Sequence, residues 1–122
     1  MRYIKSNCLT RILKRPEYLR VKQQGISVAE LGLVIQAAPV ANSSSYLQPR
    51  VGFTVSKRVG NAVKRNRARR RLKSIASDVL PKDGFQSWDY VFIGRVVTLD
   101  RPYDLLLQDT RVALRKIHQK TI

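Results

Sequence analysis

Along this chain, apolar residues recur with two distinct periods, and the switch between them marks out the elements. At 50–56, "RVGFTVS", the residues alternate: Val51, Phe53 and Val55 point one way, and Gly52, Thr54 and Ser56 the other. This period of two predicts a half-buried strand with a small, polar second face. Further on, Ala68, Leu72, Ile75 and Val79 fall at i, i+4, i+7 and i+11, the single apolar stripe of a helix docked on a sheet. Gly60-Asn61 marks its start, and Pro81 and Gly84 are expected to end it. The last element repeats the helical pattern through Tyr103, Leu106, Thr110, Ala113, Leu114 and Ile117, and is expected to open at Asp100 with Pro102 behind it.

The remaining pieces are shorter. Arg15-Pro16-Glu17 predicts a helix opening, with proline preset for the first turn and Glu17 favourable to the helix dipole. Tyr18, Leu19 and Val21 supply its apolar side, and Gly25 its stop. The chain is rich in Val and Ile from Ser27 to Ala38, with Leu33 to Gln36 the best strand. Pro39, Asn42, three consecutive serines and Pro49 then mark a turn-forming segment, so this strand is expected to pair antiparallel with "RVGFTVS". "DYVFIG", Asp89 to Gly94, reads as a strand buried on both faces. Three strands are visible this way, in an α+β arrangement with one mixed sheet.

Composition adds a partner to this picture. The 122 residues, 43% hydrophobic and 26% charged, suit a single globular domain over 1–122. Lys and Arg number 24 against 8 Asp and Glu, a net charge of +16, which implies a densely anionic partner, most often nucleic acid. Nine of the seventeen residues 57–73 are Lys or Arg, and no acid stands between Glu30 and Asp78 to neutralise them. The longest apolar stretch, Leu31 to Ala41, is broken by Gln36 and Pro39 and falls far short of the ~20 residues of a membrane span, so no membrane partner is expected. A basic N-terminus with no apolar run behind it, and a single cysteine, Cys8, read as an incidental small hydrophobe, point to the cytoplasm.

Candidate chemistry is sparse. A protein nuclease needs clustered carboxylates or a positioned histidine. The lone His118 reads as a solvated cation at a frayed helix end, Asp100 and Asp104 as helix-start residues, and Asp78, Asp83 and Asp89 are scattered. No catalytic residue, metal site or cofactor on the protein is therefore expected. The basic helix is different: Gly60 and Asn61 open a helix N-terminus suited to anions, and Lys64, Arg65, Asn66, Arg67, Arg69, Arg70 and Lys73 follow without the acids that would normally support such a helix. Arg69 and Arg71 are placed on the flanks of the apolar stripe.

The stretch "FTVSKRVGNAVKRNRARRRLKSI" resembles the signature of the protein subunit of bacterial ribonuclease P: a strand ending Val55-Ser56-Lys57, the Gly60-Asn61 turn, then Arg65-Asn66-Arg67 with Arg69, Arg70 and Lys73. Weaker similarity extends through Pro16-Glu17-Tyr18, "DYVFIGR" and the C-terminal helix. The resemblance implies a two-layer αβββαβα sandwich on a four-stranded mixed sheet, the further strand lying near Ser27 to Glu30 or before Arg50. It also implies a left-handed crossover where right-handed is the rule. It implies a subunit of an endoribonuclease that removes the 5′ leader from precursor transfer RNA, with the chemistry and its magnesium residing in the RNA subunit and no obligate protein partner. Lys57, Arg58, Gly60, Asn61, Lys64, Arg65, Asn66, Arg67, Arg69, Arg70 and Lys73 would face RNA. Tyr18, Lys22, Thr54, Ser56 and Arg95 would form a cleft for the single-stranded leader. Lys22 and Gln36 stand where aromatic residues are common in the family, so this cleft is expected to hold RNA more by charge than by stacking. The alternative is a ribosomal or other structural RNA-binding protein.

Overall fold

The computed structural model describes residues 9–40 and 49–121. Cys8, Asn42 and the serines at 43–45 lie outside the described residues. Five strands form one mixed sheet: β1 Thr10–Arg11, β2 Ile26–Ala29, β3 Leu33–Pro39, β4 Arg50–Thr54 and β5 Trp88–Gly94, in the spatial order β1-β4-β5-β3-β2. Three helices accompany them, α1 Arg15–Gln24, α2 Ala62–Asp83 and α3 Tyr103–Thr121. From α1 onward the order is the expected αβββαβα.

Two corrections concern the sheet. It has five strands rather than four, because two residues of the N-terminal segment pair parallel with β4, Thr10 opposite Arg50 and Arg11 opposite Val51. The strand anticipated near Ser27 is β2, paired antiparallel with β3. Nor is β3 the neighbour of β4. β5 lies between them, antiparallel to β3 with Ile35 opposite Phe92, and parallel to β4 with Phe53 opposite Phe92. The reason is the double-sided apolarity of β5. Its Tyr90 and Phe92 belong to the core under α2 and α3, while Val91 packs on the other face with Ile12, Val21 and Ala38, so only a central position buries both sets.

α2 and α3 form the layer over one sheet face. The predicted stripe of Ala68, Leu72, Ile75 and Val79 is buried with Leu106, Ala113, Leu114 and Ile117 of α3, and Phe53 meets Phe92 edge-on at 6.1 Å. α1 lies on part of the opposite face, sealed by Val21. Burying an aliphatic side chain of this size stabilises by about 1.5–3 kcal/mol, so these stripes, rather than helix propensity, hold the helices in place.

Two element ends and one side chain also differ from expectation. α2 runs through Pro81 to Asp83 and ends where the Gly84 N–H donates to the Leu80 carbonyl at 2.9 Å. A proline in the last turn forfeits one helix bond, and burial of Val79 and Leu80 outweighs that loss. α3 starts at Tyr103, because Val96–Leu99 first form a 3-10 turn that ends on Asp100. His118 is not a solvated cation. Its ring stacks on Phe85 at a centroid distance of 3.7 Å, and its Nε2 lies 2.9 Å from the Tyr90 hydroxyl. Burial holds its pKa below the ordinary 6.5, the Asp83 charge opposing only in part.

Candidate RNA interface

The basic helix is built from its N-terminus. The Ser56 hydroxyl accepts from the Arg58 N–H at 3.3 Å and caps a 3-10 turn, Lys57–Val59. Gly60 then takes φ 148°, a conformation that strains any residue with a side chain, and an added Cβ there would stand 2.7 Å from the Lys64 Cδ. The Asn61 side chain accepts from the Lys64 N–H at 3.0 Å, the N-cap that starts α2. The Gly60 N–H donates to the Lys57 carbonyl at 3.2 Å, so it is not one of the open donors that the sequence suggested.

Along α2 the cations separate by task. Arg65 folds back, its Nε donating to the Gly60 carbonyl at 3.2 Å, and Arg69 donates to the Asn66 side chain at 3.0 Å. Arg71 donates to the Arg101 carbonyl and is half-buried, joining α2 to the start of α3. Arg67 meets Asp100 at 3.2 Å, but both side chains are largely exposed, at 54% and 84%, so the pair is worth a fraction of a kcal/mol and is readily given up to another anion. Lys57, Arg58, Lys64, Arg70 and Lys73 are exposed, and none of them is ion-paired among the described residues. Cations at i and i+3 or i+4, such as Arg67, Arg70 and Lys73, repel one another along the helix surface. A polyanion laid on this face removes that repulsion.

On the α1 side of the sheet lies a groove of about 650 Å³. Its floor is Gln36, Thr54, Val91 and Ile93, and its α1 wall is Tyr18, Leu19 and Lys22. Tyr18 is fixed through its hydroxyl. Its hydroxyl donates to the Ile12 carbonyl at 3.1 Å and accepts from the Phe53 N–H at 3.3 Å, a β4 edge donor beyond the reach of the two-residue β1. Its ring lies directly on Gly52, where an added Cβ would come within 2.6 Å of ring carbon and hydroxyl.

Of the residues expected at the cleft, the structure brings together Tyr18, Lys22 and Thr54. Ser56 and Arg95 stand outside the groove lining, Ser56 as the cap described above and Arg95 with its guanidinium on the Glu30 carbonyl at 2.7 Å. Arg69 of α2 reaches the groove rim, which joins the cationic helix to the groove. Leu13, 81% exposed on the same wall, carried no signal in the sequence because it belongs to no periodic element.

Also unannounced was the network behind α1. The buried Asp89 carboxylate accepts from Arg50 at 2.7 and 2.8 Å and from Arg20, while Arg50 reaches on to Glu17 at 3.0 Å. Burial pushes the Glu17 carboxyl up, but the Arg50 hydrogen bond and charge outweigh it and hold it below its ordinary range. Bonding to Asp89 raises the Arg50 pKa against the opposing effect of burial. Among the described residues no group of His, Cys, Asp or Glu converges on a metal position, and no helix is long and apolar enough to cross a membrane.

A mixed sheet bearing an arginine-faced helix on one side and an open groove on the other defines a small basic α+β protein of the nucleic-acid-binding class. The family comparison is more specific: the ribonuclease P family profile matches residues 8–118. The ribonuclease P protein component of Paramagnetospirillum magneticum is 49% identical over 110 residues, covering 89% of this chain and 83% of that protein. The component of Ruegeria pomeroyi is 45% identical over 117 residues, covering 93% and 90%. The ribonuclease P protein structure of Staphylococcus aureus superposes with a TM-score of 0.70 at 25% identity, covering 87% of this chain and 93% of that one. That of Thermotoga maritima gives 0.72 at 22% identity, covering 88% and 96%, a likeness of fold. The chain belongs to the ribonuclease P protein family. Its role is that of the protein subunit of this transfer-RNA-processing endoribonuclease, in partnership with the ribonuclease P RNA, which sets aside the ribosomal alternative.

Proposed function

We propose that the exposed cations from Lys57 to Lys73 dock on the catalytic RNA, that the α1 groove takes the single-stranded 5′ leader of precursor transfer RNA, and that the protein acts by lowering repulsion between the two RNAs. The observation that carries this reading is the position of Arg69, on the cationic helix and on the groove rim at once, so that one positive surface is continuous between two RNA sites. In this reading the chemistry and its magnesium belong to the RNA, the protein works in the cytoplasm, and it needs no obligate protein partner.

The groove wall carries Tyr18 tied by two hydrogen bonds and Lys22 one turn on, and Gln36 lies on the floor. Its hold on the leader therefore rests on charge and on apolar contact with Leu13 and Leu19 more than on stacked rings. If helix and groove neutralise on the order of 6–10 phosphates, affinity for the complex falls by roughly 10³–10⁵ between 50 and 200 mM salt. The test is reconstitution with catalytic RNA at physiological magnesium, comparing precursors with long and absent leaders. Arg70→Ala with Lys73→Ala should weaken assembly and leave circular dichroism unchanged; assembly at full strength would overturn the docking assignment. A leader-dependent gain in affinity that survives high salt would overturn the charge-based groove.

A further inference from the structure

α3 carries a second set of unneutralised cations that the reading above does not use. Arg111 and Arg115 stand one helical turn apart on its surface, both exposed, and they line a recess of about 440 Å³ with Asp83 and His118. Neither is ion-paired among the described residues, although five of the eight acids in the chain are. Like charges at i and i+4 destabilise a helix, and the one carboxylate in the recess leaves a net positive charge. The mount is rigid. His118 is stacked on Phe85 and bonded to Tyr90, Trp88 meets the edge of Phe85 at 5.7 Å, and Leu114 and Ile117 are buried, so the end of α3 is pinned to the sheet and to the end of α2.

We infer that Arg111 and Arg115 form a second phosphate-contact surface for the ribonuclease P RNA, extending the docking face from the N-terminal to the C-terminal end of α2. The catalytic RNA is favoured over the precursor leader because α2 and α3 share one face of the sheet, whereas the leader groove lies on the α1 side. α2 is 22 residues long, about 33 Å, so the two sets of cations would meet phosphates well separated along the RNA rather than one cluster. Arginine forks suit such sites better than lysine.

This inference rests on the docking assignment proposed for α2, and the experiment separates the two. Holoenzyme assembly is measured across 50–200 mM salt for the parent chain, for Arg111→Ala/Arg115→Ala, for the corresponding double Gln variant, and for Arg70→Ala/Lys73→Ala as reference. Both α3 variants should bind catalytic RNA roughly tenfold more weakly at moderate salt. The slope of log affinity against log salt should become shallower by about 2. The added affinity for a long leader should be unchanged. Parental assembly and slope in the α3 variants, with the α2 reference impaired, would overturn the second surface alone. Parental assembly in both would overturn the docking assignment as well. A loss confined to leader-dependent affinity would overturn the choice of partner.

Discussion

Arg50 and Asp89 face each other across the parallel pairing of β4 and β5, and the guanidinium grips the fully buried carboxylate with two hydrogen bonds of 2.7 and 2.8 Å. Arg20 of α1 binds the same carboxylate and, at 2.8 Å, the carbonyl of Pro39. One acid thus ties the first helix to the ends of three strands, and α1 is the wall of the groove. Replacing Asp89 with Ala leaves two arginines with no acid at their centre and should cost about 3 kcal/mol or more. Urea unfolding checks this, and an unchanged midpoint would show the network to be dispensable.

Glu17 adds a pH dependence to the same network. Its carboxyl titrates below its ordinary 4.5 in the folded chain, so its contribution is fully present above that value and is lost as pH falls through the folded pKa. Glu17→Gln should therefore flatten the acid limb of the stability curve below about pH 4.5 while leaving the neutral plateau slightly lowered. Parallel acid limbs for parent and variant would remove Glu17 from the network.

Gly52→Ala tests the groove. The new methyl would meet the Tyr18 ring at 2.6 Å, and Tyr18 is held by hydrogen bonds to both sides, so the ring cannot swing away without releasing the Phe53 N–H. The expected cost is about 1–3 kcal/mol of stability, with leader-dependent affinity reduced and leaderless binding kept. Equal losses for both substrates would mean that the groove is not the leader site.

His118 and Tyr90 form the fourth case. Burial keeps the imidazole neutral below its ordinary 6.5 and, for the phenol, raises the pKa to about 12. A folded pKa depressed in this way means that the contribution from His118 is present above 6.5 and falls away as the imidazole protonates at lower pH. An NMR titration of the single histidine should give a midpoint below 6.5. A midpoint at or above that value would place the ring back in solvent.

Periodicity made much of this molecule legible. The stripe of Ala68, Leu72, Ile75 and Val79, the alternation of Val51, Phe53 and Val55, and the Asn61 start of α2 are all local patterns, set by which face of one element must leave water, and the structure keeps each of them. The uncompensated charge of residues 57–73 was likewise a property of the chain itself. Tertiary structure decided what depends on which elements meet. β5, not β4, became the neighbour of β3, because only a central strand can bury Tyr90 and Phe92 on one face and Val91 on the other. Asp89 became a buried anchor, His118 left solvent for Phe85, and Leu13 joined a groove wall, since each acquires its role from residues far away in sequence. Burial and ion pairing act through space, so no spacing along the chain encodes them.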